Sequence, residues 1–150
     1  MRGEGERNPK VLGMTIIVDS DGLIGLFNKD DAHNATSIFT LEKLIAKEAK
    51  LIYPATTLTE ATAILQIRLK HPELATKIVD LLIDGKLIIE PVDEILLKEA
   101  VTLLKPVGNK HNTLFDAVVA TVAKRYKADA IFSFDKWYKK LGFTLVSDIN

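Results

Sequence analysis

The chain contains no cysteine, which excludes disulfide frameworks, thiolate zinc sites and cysteine nucleophiles. It also lacks net charge, because 20 Lys plus Arg offset 20 Asp plus Glu. A basic surface is the ordinary footprint of phosphate binding, so any phosphate partner has to be held by local charge or by metal. No stretch approaches the roughly 18 uncharged apolar residues of a membrane span. The N-terminal MRGEGERNPKVLGM is polar and charged where a signal peptide would carry an apolar core. Together these absences predict a soluble, cytoplasmic protein. There is no G-x-S-x-G elbow, no G-x-G-x-x-G turn and no Walker lysine loop.

What is present is one domain's length of chain, 150 residues. A monomer of this size buries roughly 68–70% of its unfolded surface, enough for a core without staples. Residues 1–13 mix Gly3, Gly5 and Pro9 with charges and read as a flexible lead-in, with Met14 as an alternative start; 14–150 form the domain. From Met14 onward, short runs rich in β-branched residues alternate with stretches of helical period. Strands are predicted at 15–18, 51–53, 87–89, 130–133 and 144–146. Helices are predicted at 33–49 (Ile38, Leu41, Leu44, Ile45), 57–69 (Leu58, Ala61, Leu65, Leu69), 72–83, 93–104, 113–126 and 135–141. Pro72 opens one of these and Gly85 closes it, while Gly142 closes the last. Such alternation implies a three-layer α/β/α sandwich around a mainly parallel sheet of four to five short strands. In such sheets ligands bind beyond the carboxyl ends of the strands.

That rule selects residues. The first strand runs into Asp19-Ser20-Asp21-Gly22, and the fourth into Ser133-Phe134-Asp135. Glu60 and Asp116 fall in the first turns of two helices. Convergent carboxylates repel one another and must take up protons or share a cation. Mg²⁺ or Mn²⁺ suits an all-oxygen set, and such an ion polarises phosphoryl oxygens and acidifies water. Each acid also has a structural reading. Thr57-Leu-Thr-Glu60 and Thr113-Leu-Phe-Asp116 match capping boxes, and Asp19, Asp21 and Asp135 match N-caps. Capping, however, does not require all of them to fall on one edge of the sheet.

The remaining signals are weaker. His33, His71 and His111 lack a partner at metal-ligand spacing and read as solvated surface. Trp137 reads as core, and Tyr138 as an exposed ring able to touch a nucleotide. Lys124, Arg125, Lys127, Lys136, Lys139 and Lys140 outnumber Asp129 and Asp135 in 124–140 by six to two. This excess reads equally as a basic rim for RNA, carried by Lys124, Lys136, Lys139 and Lys140, or as a solvated helix face.

The motifs IIVDSDGLIGLF, TTLTEATAIL and TLFDAVVATVAKRYKADAIFSFDKWYKKLGF resemble the PIN domain, in particular the small toxins of VapBC toxin–antitoxin systems, over nearly all of the chain from Met14 to Val146. The resemblance implies a metal-dependent ribonuclease whose acidic positions fall on Asp19, Glu60, Asp116 and Asp135. It implies that Asp19 and Asp116 hold Mg²⁺ or Mn²⁺, that Asp135 completes the site, and that Glu60 binds metal or orients water. Ser20 and Ser133 match small hydroxyl positions beside the acids. Asp21 departs from the family's commoner small polar residue, so it adds a ligand or serves as a cap. The resemblance further implies a homodimer and a cognate antitoxin whose helical tail fills the groove by the site. Val18-Asp19-Ser20-Asp21-Gly22 also looks like the D-x-D-G opening of haloacid-dehalogenase-type phosphatases, with Asp19 as nucleophile and Asp21 as acid/base. A third reading is a PIN-like fold acting as a non-catalytic binding module.

Overall fold

The structure, a computed structural model, describes residues 13–104 and 112–149; the predicted lead-in up to residue 12 and His111 lie outside them. Four strands form the sheet: β1 (Thr15–Val18), β2 (Lys50–Pro54), β3 (Ile88–Glu90) and β4 (Ala130–Phe132). They are all parallel and lie in the order β3-β2-β1-β4. The chain therefore moves outward from β1 through β2 to β3, then returns to lay β4 on the other side of β1. This reversal opens a crevice beyond the carboxyl ends of β1 and β4, the place where such sheets bind ligands.

Alternation along β1 supplies both cores, because successive side chains point to opposite faces. Ile16 and Val18 pack with Leu23, Leu44, Leu58, Leu65 and Ile78. Those residues come from α1 (Ser20–Phe27), α2 (Asn34–Ala46), α3 (Ala55–Ala63) with its following turn, and α4 (Pro72–Ile83). Ile17 packs on the other face with Ile52, Leu96, Val118, Val122 and Tyr138, drawn partly from α5 (Glu94–Val101), α6 (Leu114–Tyr126) and α7 (Trp137–Lys140). The result is the expected α/β/α sandwich. Among the described residues no helix is long and apolar enough to cross a membrane.

Three elements depart from the sequence reading. The stretch 144–146 is not a fifth strand: only Leu145 forms a bridge, to Ile131, and the chain then turns into a 3₁₀ segment, Val146–Asp148. Helix α3 begins directly after Pro54 rather than at Thr57, and its continuation Ile64–Arg68 is a π-helix. Helix α1 has no amphipathic pattern to announce it, because Ser20, Gly22, Leu23, Ile24 and Gly25 are all buried. A helix buried most of the way round loses the polar stripe that periodicity detects.

The two glycines of α1 are what let it lie so deep. A Cβ on Gly22 would run into the backbone oxygen and ring of Phe132 in β4, and one on Gly25 would sit 2.6 Å from Ser37 Oγ in α2. The Phe132 carbonyl also accepts from Asp19 N at 3.1 Å, so displacing it would disturb the strand ends. Gly22→Ala is expected to destabilise the fold by about 1–3 kcal/mol, the usual range for overpacking. A melting temperature unchanged from the unsubstituted chain would refute this account of the close approach.

Candidate active site at the carboxyl ends of the strands

Asp19 leaves β1 buried, with 4% of its surface exposed. It caps α1, accepting from Ser20 N at 2.7 Å through Oδ1. Its other oxygen, Oδ2, accepts from the Tyr138 hydroxyl at 2.7 Å and lies 3.3 Å from Ser133 Oγ. Asp21, one position into α1, turns Oδ2 toward Ser133 Oγ at 3.0 Å and Phe134 N at 2.8 Å. Ser133 Oγ has a single hydrogen and lies nearer Asp21 than Asp19. Asp21 Oδ1 is buried without a partner.

The second pair of acids arrives on helices. Thr57 Oγ1 donates to Val18 O at 2.9 Å, tying the start of α3 to the end of β1 one turn below Glu60. Thr57 is thus a tether rather than the cap its sequence suggests. Glu60 is half-buried and bonded by the Ser20 side chain. Asp116 does form the expected capping box on α6, with Oδ2 accepting from Thr113 N at 2.9 Å. It is cap and cluster member together, because Asn112 Nδ2 bridges Asp116 Oδ2 (3.4 Å) and Asp135 Oδ2 (2.9 Å). Asp135 also accepts from Trp137 N at 2.9 Å, and its own N–H donates to Ser133 Oγ.

Ser20, Asp19, Asp21, Glu60, Asp116, Ser133 and Asp135 are therefore brought to one edge from separate parts of the chain. Among the described residues, no three His, Cys, Asp or Glu side chains are already drawn into a metal-holding group. Neutral donors such as Asn112 stand between the like charges. The same crowding shows in their acidities. Burial, with the charge of Asp21 added, pushes Asp19 up to about 7, against the pull of Tyr138 and Ser20 N–H. Asp21, Glu60 and Asp116 are also raised, burial first in each case; the charges of Asp116 and Asp21 add to Glu60, and that of Asp135 to Asp21 and Asp116.

Two members carry no sequence signal strong enough to assign them. Tyr138 is fully buried, not exposed, and its burial together with the charge of Asp19 holds its phenol well above the ordinary value. It is a permanent hydrogen-bond donor to Asp19. Asn112 is hidden as an ordinary polar residue four positions before Asp116. Trp137 packs partly buried against the α6 side of the sheet, as its sequence suggests. His33 is exposed but stacks on Phe134, with ring centroids 3.9 Å apart and planes 8° from parallel. His71 pairs with Glu73 and Asp30.

The basic rim is only partly assembled. Lys136, Lys139 and Lys140 are exposed beside or on α7, with Lys139 paired to Asp148 at 3.2 Å. Lys124 lies in the last turn of α6, eight residues and so about 12 Å from Asp116 at the other end of the helix. Arg125 is engaged by Glu99 at 2.9 Å. A cation that the sequence does not single out, Arg68, is the one whose charge reaches Glu60.

A carboxyl whose pKa is raised by folding stabilises the fold while protonated and loses that contribution as pH rises through the folded value. In metal-free protein the contribution of Asp19 is therefore full below about pH 4 and lost through about pH 7, a tenfold difference in proton affinity being worth about 1.4 kcal/mol. Melting in a chelator is expected to fall between pH 5 and pH 8, with Asp19→Asn flattening the fall. Tyr138→Phe removes a bond that favours the carboxylate and is expected to move the fall to higher pH. A pH-independent melting temperature over this range would contradict the arrangement.

The sequence profile of the PIN domain family matches residues 16–144. No curated protein matches the chain by sequence. Among solved structures it is similar to VapC20 of Mycobacterium tuberculosis, a sarcin-ricin loop cleaving toxin, at 20% identity and a TM-score of 0.73, covering 86% of this chain and 96% of that one. It is also similar to VapBC2 of Rickettsia felis bound to a DNA fragment from its promoter (18%, 0.64, 88% and 96%). A third likeness is to FitAB bound to the IR36 DNA fragment (16%, 0.60, 87% and 92%). These identities speak to the fold, whereas the profile spans the strands, α1 and all the gathered acids: the chain belongs to the PIN domain family.

Proposed function

We propose that the protein is a metal-dependent endoribonuclease, with Asp19, Glu60, Asp116 and Asp135 as its catalytic acids. The observation that carries this reading is the meeting of these carboxylates at the sheet's switch point, three of them made weaker acids than ordinary carboxyls by burial and by neighbouring carboxylate charge. Such a cluster is compensated by cations. An all-oxygen donor set with a buried, unpartnered Asp21 Oδ1 fits Mg²⁺ or Mn²⁺, which prefer carboxylate oxygens and retain waters.

Asp19, Asp116 and Asp135 would hold the cation, directly or through water. When bound, it supplies Lewis-acid polarisation of a phosphoryl oxygen and acidification of a water. Glu60, oriented by Ser20, accepts the proton of the water that attacks phosphorus in line with the leaving ribose oxygen. Ser133 and Tyr138 hold the Asp19 carboxylate in orientation, and Lys136, Lys139 and Lys140 attract the RNA backbone. The phosphatase reading fares worse, because Asp21 Oδ2 is already occupied by Ser133 and Phe134 N–H and because it leaves Glu60 and Asp116, gathered at the same edge, without a role.

The same reading makes the protein the toxin of a toxin–antitoxin pair, cytoplasmic and homodimeric, silenced by a VapB-like antitoxin. The toxin character of VapC20 and the VapBC2 and FitAB complexes support it. Large apolar side chains left exposed on α2 and α4, Phe39, Ile45 and Ile83, are surface that such partners would cover.

Purified protein is expected to cleave RNA with Mg²⁺ or Mn²⁺ and not with chelator, and to leave p-nitrophenyl phosphate intact. Asp19→Asn and Asp116→Asn are expected to abolish cleavage without lowering the metal-free melting temperature at pH 8, because each removes a like charge. Glu60→Gln is expected to slow cleavage by about 10²–10⁴-fold. Hydrolysis of the small ester alone would support the phosphatase, and no metal-dependent hydrolysis at all would support a binding module.

A further inference from the structure

Beside the acids lies an open cleft of about 370 Å³, lined by Thr59, Glu60, Ala63, Ile64, Arg68 and Phe115. This falls in the roughly 300–1,000 Å³ range of small-ligand sites. Its lining is chemically mixed. Phe115 precedes Asp116 in the first turn of α6 and keeps 42% of its surface exposed, a large ring left in water next to a proposed catalytic carboxylate. Arg68 is exposed, forms no ion pair or hydrogen bond among the described residues, and directs its charge at Glu60.

The backbone is shaped to put Arg68 there. Eight residues of regular α-helix end about 80° away from the starting side chain, so Glu60 and Arg68 would diverge around the helix. The π-helix at Ile64–Arg68, wound with more residues per turn, takes back part of that rotation and brings Arg68 into the cleft with Glu60. Single turns of this kind inside α-helices are frequent at functional sites.

We propose that this cleft seats the nucleotide adjoining the scissile phosphate, with its base stacked on Phe115 and its phosphate paired with Arg68. The inference rests on the nuclease reading and adds to it a subsite for the substrate. An exposed ring and an exposed guanidinium lining one cleft match the two recurrent handles of single-stranded nucleic acid, the π-face of a base and the charge of a phosphate. A peptide occupant would leave that pairing unexplained. It would be better served by the mainly apolar neighbouring pocket of Thr56, Leu97, Leu114, Phe115 and Val118.

The test uses the full chain and a single-stranded RNA oligonucleotide carrying 2-aminopurine beside the cut. Phe115→Ala is expected to raise KM about tenfold or more and to abolish 2-aminopurine quenching, with Phe115→Tyr restoring both. Arg68→Ala is expected to weaken RNA binding and reduce its salt slope by about one, with Arg68→Lys recovering the slope. Wild-type cleavage with quenching, KM and salt slope unaltered in the Ala variants would overturn the subsite and leave the nuclease intact. Quenching by Phe115 without any metal-dependent cleavage would support the subsite and sink the nuclease. Altered affinity for a helical antitoxin peptide, with RNA cleavage unchanged, would assign the cleft to protein and refute the proposal.

Discussion

Burying several carboxylates together is the constraint from which the rest of this structure follows. Asp19 lies almost out of water with Asp21 two residues away, while Asp116 and Asp135 share the hydrogens of one amide. Each added charge raises the cost of the next. The fold answers with donors that carry no charge: the Tyr138 phenol, the Ser133 hydroxyl, the Asn112 amide and the backbone N–H groups of Ser20, Thr113, Phe134 and Trp137. They orient the oxygens without neutralising them. A lysine in any of these places would have satisfied the acids and removed the cluster's appetite for a cation.

The sheet order makes this arrangement simple to build. Because β4 returns beside β1, the residues that follow each strand meet across one crevice, and Ser133 can touch the acids after β1 across 112 positions of sequence. The hydrogen bond from Asp19 N to Phe132 O extends the ladder one step past the strand, which fixes the direction of the Asp19 side chain. Gly22 then lets α1 press against β4 at that level. The position of Asp19 is thus set by backbone pairing and close packing, whereas Ser133 and Asp135 are held on the short turn after β4 by hydrogen bonds.

Much of this is legible in the sequence, and the failures have physical causes. Period announces the four strands and most helices, and place after strands and at helix starts announces the acids. Capping and clustering are compatible in Asp116, so the two readings of that residue do not compete. Helix α1 is invisible because buried helices have no polar stripe. The π turn is invisible because nothing in Ile64–Arg68 distinguishes i+4 from i+5 bonding. Tyr138 is misplaced by sequence because aromatic residues on a four-residue helix have no period to show which faces inward. Residues 144–146 have strand composition, but a single bridge is all the edge of β4 offers them before the chain turns away.

The zero net charge acquires a different meaning once charges have positions. Of the gathered acids only Asp19 is fully buried, while Glu60, Asp116 and Asp135 are half-buried, so on the proposed reading a bound cation is what would offset their field at the crevice. The bases expected to offset them are not gathered in one rim: Lys124 and Arg125 lie at the far end of α6, Arg125 and Lys139 are engaged by Glu99 and Asp148, and only Lys136, Lys140 and Arg68 are exposed near the crevice without an ion pair among the described residues. These three described cations alone would give only weak long-range attraction of a polyanion by the counterion measure. On the proposed reading, selectivity then falls to short-range contacts at the crevice. Recognition of that kind depends on shape and stacking more than on charge, and it favours a looped or single-stranded segment whose bases can be splayed over a duplex whose bases are already stacked.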